Sequence, residues 1–241
     1  MKQALKTVFT LLIFVLVCFV FVPHNTFASQ GLYKSPKTVF EDDYHFHIPS
    51  SLEPSKKYPL VISLTPKADA GINLGLWLNA SEKYKWFVYA DKRVRSGSDM
   101  HLESMRIIRN IKKLIRKYPI DDKKIIAAGF SSGGMMAHAL AFESKLISGL
   151  VSSCGHISDQ YKLQTKKYPK NKKVVLMSGD FDFNYHKIKS DFIYLKNLGW
   201  KAYWITSDIG HDFPEQTKLM EAAAWFEDQW AQPDINGERR D

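Results

Sequence analysis

The stretch Gly129-Phe130-Ser131-Ser132-Gly133 combines residue types that could do chemistry. It follows the apolar run "KIIAAGF" (124–130) and leads into "SGGMMAHALAF" (132–142), which has helical spacing. The G-x-S-x-G pattern therefore falls between a strand and a helix, the context in which a sharp turn exposes a serine hydroxyl and flanking glycines let the two elements close around it. Ser131 fits that frame. Ser132 does not, because Phe130 would occupy the first glycine position. The Ser132 amide instead sits at the helix N-terminus, where an oxyanion would be stabilised. The competing reading is a structural glycine-rich turn, and the strand-to-helix context favours the nucleophile.

A serine needs a histidine base held by a carboxylate before it attacks at neutral pH. After the strand-like "VVLMSG" (174–179) come Asp180-Phe181-Asp182, and after "WKAYWIT" (200–206) come Gly210-His211-Asp212. Either Asp180 or Asp182 could supply the carboxylate. Among the histidines, His45 and His47 precede the core strands, His101 and His138 fall in helical stretches, and His186 follows the acids too closely. His211 is the best-placed base, with His156 the runner-up.

The elements that must position these groups alternate along the chain. "DYHFHIP" (43–49) has the two-residue period of a half-buried strand ending at Pro49. "LVISL" (60–64), "WFVYA" (86–90), "KIIAAGF", "LVSSC" (150–154), "VVLMSG" and "WKAYWIT" read as strands, mostly buried on both faces. At 102–117, Ser104, Ile108, Ile111 and Ile115, with Met105 and Leu114 beside them, mark the inner face of a helix. Arg106, Arg109, Lys113 and Arg116 are expected outward. Further helices are expected at 132–145, 187–198 and 215–230. Alternation of this kind implies an α/β fold with a mostly parallel central sheet, helices on both faces and reactive loops at the strands' carboxyl ends.

With "YPID" (118–121) leading into "AAGFSSGGMMA", and with "SGDFD" (178–182) and "GHDFP" (210–214), the sequence resembles the α/β-hydrolase superfamily. Within it, the likeness is to the secreted polyhydroxyalkanoate-depolymerase-like and feruloyl-esterase-like branch, from about Tyr44 to the helix ending near Trp230. The resemblance implies an α/β-hydrolase fold and a serine esterase whose triad is Ser131, Asp182 and His211. Its G-x-x-D pattern selects Asp182 over Asp180. One departure stands out: members usually carry His-Gly after the strand that here reads "PLVISL", whereas this chain has Thr65-Pro66-Lys67. Proline has no N–H, so Lys67 or a neighbour would have to join the Ser132 amide in the oxyanion hole.

The rest of the chain bounds this reading. Lys2 and Lys6 precede the uncharged apolar stretch Val8–Val22, Pro23 follows, and Thr26 and Ala28 have cleavage-site spacing, which is the layout of a signal peptide over 1–28. Export to the periplasm or the medium is expected, without stable membrane insertion after cleavage, and 29–241 is read as one domain. Removing that segment takes away Lys2, Lys6 and no acid, lowering the formal charge from +9 to +7. The basic residues cluster in "KLQTKKYPKNKK" (162–173) and along the helix at 102–117 with no aromatic residues suited to base stacking, so nucleic acid is not the expected partner. Cys154 would be the sole cysteine after cleavage, leaving no internal disulfide. No metal-ligand spacing is visible, and a serine mechanism needs no cofactor. The expected partner is an ester substrate. Alternatives on the same triad are a peptidase or thioesterase, or a binding protein with weakened catalysis, which Thr65-Pro66 motivates.

Overall fold

A strand covered by helices on both faces must be apolar on both faces, and the continuous apolar runs of this chain become the inner strands of one eight-stranded sheet. The computed structural model describes residues 35–162, 169–170 and 172–232. The expected export segment 1–28 and most of the basic stretch 162–173 lie outside the described residues.

The elements run β1 (Lys37–Phe40), β2 (Tyr44–Ile48), β3 (Tyr58–Leu64), α1 (Ala70–Tyr84), β4 (Phe87–Asp91), α2 (Met100–Lys117) and β5 (Ile120–Phe130). They continue as α3 (Ser132–Glu143), β6 (Gly149–Ser153), the single turn α4 (Asp159–Lys162), β7 (Lys173–Gly179), α5 (Tyr185–Asn197), β8 (Lys201–Ser207) and α6 (Gln216–Ala231). The strand order is β1-β2-β4-β3-β5-β6-β7-β8; β1 pairs with β2 and β2 with β4 antiparallel, and the run β4-β3-β5-β6-β7-β8 is parallel throughout. The order reverses direction around β3, and the loops following β3, β5, β7 and β8 emerge at the sheet's carboxyl edge. That edge is where an open α/β sheet presents its chemistry.

Alternate residues of each inner strand feed two cores. Leu60, Ile62, Ile125, Ala127, Leu150 and Leu176 pack with residues of α2, α3 and α5 on one face. Val61, Val88, Ile126, Val151, Val175 and Ile205 pack with residues of α1 and α6 on the other. The tryptophans divide accordingly: Trp77 stacks on Trp86 at 6.1 Å within the second core, and Trp200 is buried in the first. Among the described residues, no helix is long and apolar enough to cross a membrane.

Three elements escaped the periodicity reading: the edge strand β1, helix α1 and the single turn α4. Helix α1 is nonetheless capped by a residue type that favours its start: the Asp69 carboxylate accepts from the Gly71 and Ile72 amides. Helix α2 corrects two orientations. Its buried face is Ser104, Ile107, Asn110, Ile111 and Leu114, while Met105 is exposed. Arg106 turns inward: its guanidinium donates to Asp91 Oδ2 at 2.7 Å, and Asp91 has no exposed side-chain surface. A buried carboxylate at the end of β4 requires a cation, and this requirement overrides the expectation that an arginine on an amphipathic helix faces water.

Candidate active site

The turn from β5 into α3 holds Ser131 at φ 54°, ψ −122°, a sparsely populated region for a residue with a side chain. Such a conformation costs on the order of 1–3 kcal/mol and persists only where the surroundings enforce it. The surroundings are backbone packed on backbone. A Cβ on Gly129 would lie 2.2 Å from the Gly133 carbonyl oxygen, and one on Gly133 would lie 2.3 Å from the Leu64 carbonyl oxygen. Only glycine at both positions lets β5, α3 and the end of β3 meet. The turn is further tied down by the Ser131 amide, which donates to the Ser153 carbonyl at 2.8 Å.

His211 lies in the loop between β8 and α6, and Asp182 in the loop between β7 and α5. The two loops are stitched together where the Asp180 amide donates to the Ser207 carbonyl and the Phe181 amide to the Ile209 carbonyl. His211 Nε2 then stands 2.9 Å from Ser131 Oγ, and Nδ1 stands 3.1 Å from Asp182 Oδ1. Both contacts are hydrogen bonds when the ring carries its proton on Nδ1, so Ser131 donates to Nε2 and Nδ1 donates to Asp182. Asp182 Oδ1 also accepts from the Asn184 amide at 2.7 Å, while the buried Oδ2 has no hydrogen-bond partner. The Phe183 ring, itself exposed, stacks on the imidazole at 4.2 Å, and Phe130 approaches it at 5.2 Å.

A comparison with known protein families matches residues 70–185, just under half of the chain, to the Phospholipase/Carboxylesterase family. Solved structures with similar backbones include esterase PE8, at 18% identity and a TM-score of 0.59, covering 72% of this chain and 93% of that one. FphF, a fluorophosphonate-binding serine hydrolase of Staphylococcus aureus, gives a TM-score of 0.64 at 14% identity over 79% of this chain and 96% of that one. The Bacillus cereus carboxylesterase gives 0.58 at 16% identity, covering 80% and 94%. This chain has the α/β-hydrolase fold. A comparison with curated proteins gave no match.

Within the α/β-hydrolase fold the two neighbouring acids part company. Asp182 is buried against His211, whereas Asp180 is exposed and accepts a hydrogen bond from the Thr206 hydroxyl. His156 does not join the cluster: its Nδ1 faces the Ile157 carbonyl at 3.0 Å. His138, on α3, is fully buried, and its pKa is pushed down to about 3 by burial, with His156 and Lys162 adding to the effect.

The loop after β3 has a definite internal order. The Ala68 amide donates to the Val94 carbonyl at 3.0 Å and the Ser96 amide to the Pro66 carbonyl at 3.1 Å, forming a bridge that pairs Lys67 with Arg95. Ala68 is thereby occupied and Pro66 has no N–H, while the Lys67 amide takes no part in the bridge. Ser132 is the first residue of α3, where amides have no partner within the helix. Its hydroxyl contacts that of Ser96 at 3.2 Å.

Three participants in this architecture had not been read from the sequence. Asp91 holds the loop after β4 by accepting from the Arg93 and Val94 amides, each at 2.7 Å, so the Arg106–Asp91 pair supports the segment that fixes Ala68. An acid at a strand end followed by an arginine one helix later was the available signal. Phe183 could be suspected only as a neighbour of Asp182. Cys154, which lies beside Asp182 and has its thiol pKa pushed up to about 12 chiefly by burial, left no sequence signal.

Proposed function

We propose that this protein is a serine hydrolase that cleaves carboxylic esters by acyl transfer. The observation that carries this reading is the continuous hydrogen-bonded chain from Ser131 Oγ through His211 to the buried Asp182, set on a positive-φ turn at the mouth of a helix. In the proposed reaction, His211 Nε2 takes the Ser131 proton as Oγ bonds to the acyl carbon. Asp182 stabilises the resulting imidazolium. The amides of Ser132 and Lys67 receive the oxyanion. His211 then returns the proton to the departing alkoxide, leaving an acyl-Ser131 that water cleaves by the same steps in reverse. Every group needed is supplied by the chain.

The match to the Phospholipase/Carboxylesterase family supports an ester as substrate, and the motifs around Ser131, Asp182 and His211 support the depolymerase-like and feruloyl-esterase-like branch. The basic start and short apolar run of residues 1–28 support action outside the cytoplasm. The second reading, a binding protein with weakened catalysis, is favoured by Thr65-Pro66 and by the engagement of the Ala68 amide, which leave Lys67 to complete the oxyanion hole. A fluorophosphonate probe followed by a panel of esters tests the choice. Labelling and turnover that both vanish in Ser131→Ala support the esterase; a protein that neither labels nor cleaves any ester is the binding protein.

A further inference from the structure

The same geometry places a third kind of donor beside the acid and the base. Cys154 Sγ, a carboxylate oxygen of Asp182 and a ring nitrogen of His211 all lie within 4.8 Å of one another. They come from three separate segments, the end of β6 and the loops before α5 and α6, so the cluster exists only in the folded chain. Cys154 is held at φ 56°, with its amide bonded to the Met177 carbonyl and its own carbonyl accepting from the Asn184 side chain at 3.1 Å. This fixes the direction of its Cα–Cβ bond, and the thiol makes only long contacts, donating toward the Asp212 carbonyl at 3.7 Å and accepting from the Ser153 hydroxyl at 3.9 Å, beside the Asp182 carboxylate. Asp182 contributes a buried oxygen, Oδ2, that no donor satisfies. An unsatisfied buried carboxylate oxygen next to a thiol and an imidazole is a ligand set in search of a cation.

We propose that Cys154, Asp182 and His211 form a binding site for a thiophilic divalent cation of the zinc and cadmium class, and that its occupation switches the catalytic base off. The switching half of this proposal rests on the triad reading given above. Sulfur, nitrogen and oxygen ligands suit zinc-like ions, which bind such groups at about 2.0–2.3 Å in a tetrahedron, whereas magnesium and calcium take oxygen ligands. Three protein ligands would leave a fourth position for water. Neighbouring ligands of such a tetrahedron stand about 3.3–3.6 Å apart. The Nδ1–Oδ1 distance of 3.1 Å shows the imidazole and the Asp182 carboxylate already near that spacing, with Oδ2 the free oxygen of that carboxylate, and a movement of the thiol within the 4.8 Å cluster completes the set. The His211 side chain, 20% exposed, provides the entry.

Occupation changes the proton inventory in a definite way. The cation bonds to Nδ1 in place of its proton, and the neutral ring carries that proton on Nε2 instead. Nε2 then donates toward Ser131 Oγ and cannot accept from it. The Cys154 thiol gives up its proton to solvent as sulfur joins the cation.

Cadmium titration of the full-length protein tests this, read by sulfur-to-cadmium charge-transfer absorption in the ultraviolet and, in parallel, by the rate of fluorophosphonate labelling. The chain has a second cysteine, Cys18, so the titration is run on Cys18→Ser as well. The expected result is a band that saturates at one cadmium per chain in Cys18→Ser, disappears when Cys154→Ala or Cys154→Ser is added to Cys18→Ser, and tracks loss of labelling. Each variant's labelling rate is compared with its own metal-free rate. Loss of Cys154 should raise the cadmium concentration for half-inhibition at least about tenfold, the lower end of what even a supporting contact is worth to a metal site. Two alanine and serine variants guard against misfolding, with circular dichroism as the control. A Cys18→Ser protein without the band, or inhibition undiminished in both folded Cys154 variants, overturns the site. A saturating band with labelling unchanged overturns the switch. If Ser131 never labels even without metal, the triad reading fails, and the absorption band still decides the site by itself.

Discussion

Replacing Asp182 with Asn separates two things a triad acid does, fixing the tautomer of the histidine and neutralising its positive charge. Asp182 Oδ1 accepts from both the Asn184 amide at 2.7 Å and His211 Nδ1 at 3.1 Å. An Asn side chain keeps the first bond only by leaving its oxygen at that position, which also leaves an acceptor for Nδ1–H. The tautomer therefore survives, and the amide NH2 takes the place of Oδ2, where no hydrogen-bond partner waits. What is lost is the attraction between carboxylate and imidazolium. At a charge separation of about 4 Å and an effective dielectric constant of about 20, that is about 4 kcal/mol. The amide dipole retains part of it. The expected fall in kcat/KM is thus between about 10² and 10³, each tenfold step being about 1.4 kcal/mol. In serine proteases, where the amide substitution imposes the wrong tautomer, the fall in kcat is about 10⁴. The buried, unpaired NH2 should also lower stability by about 1–3 kcal/mol in urea unfolding. Steady-state kinetics on the best ester from the panel supply the test. A fall of 10⁴ or more would mean that the amide flips despite Asn184, and a fall below tenfold would mean that the Asp182 charge does not act on His211.

Asp180→Asn, at an exposed acid bonded only to Thr206, should change kcat/KM by no more than about twofold, in keeping with the small effects of surface substitutions. Gly133→Ala drives a Cβ to within 2.3 Å of the Leu64 carbonyl oxygen; it should cost about 1–3 kcal/mol by overpacking and, by parting the Ser132 and Lys67 amides, about 10² in kcat, read by thermal melting and by kinetics. Arg106→Met strands the fully buried Asp91 and should destabilise by about 3 kcal/mol. That figure is the lower end for a broken buried pair, because Asp91 keeps the Arg93 and Val94 amides, and urea unfolding of Arg106→Met with and without Asp91→Asn should show most of the loss restored in the double variant. Glu82 gives a pH test. Burial is the largest single influence and raises its pKa, but hydrogen bonds from Ser50 and His47 together carry it below the ordinary value of 4.5. A depressed acid stabilises above its unfolded pKa and loses that contribution as pH falls through the folded one. Glu82→Gln should therefore be less stable than the parent at pH 6, with the difference shrinking as the pH is lowered below 4.5, as followed by unfolding at stepped pH.

The local pattern of this sequence determined its fold class and the place of the Ser131 turn. Apolar runs such as Leu60–Leu64 and Ile125–Ala128 are long enough, and β-branched enough, to require a sheet covered on both faces. The glycines at 129 and 133 flank Ser131 at the spacing a tight strand-to-helix turn needs. These features depend on neighbours in the chain, so one sequence displays them. Helix α1 was not legible because its apolar residues follow no clear helical stripe, and Arg106 was misjudged because its partner, Asp91, lies in a different element. The meeting of Ser131, His211 and Asp182 depends on segments that are 80 and 29 residues apart in the pairs that touch, and nothing local encodes such distances. The G-x-x-D resemblance already pointed to Asp182 rather than Asp180, and the tertiary structure shows that acid buried against His211; it alone decided that the Ala68 amide is engaged while that of Lys67 takes no part in its bridge, and that Cys154 comes to rest beside the acid. The reason is common to all three: a side chain's surroundings are set by whichever loops the strand order brings to the same edge of the sheet, and strand order is a property of the whole chain.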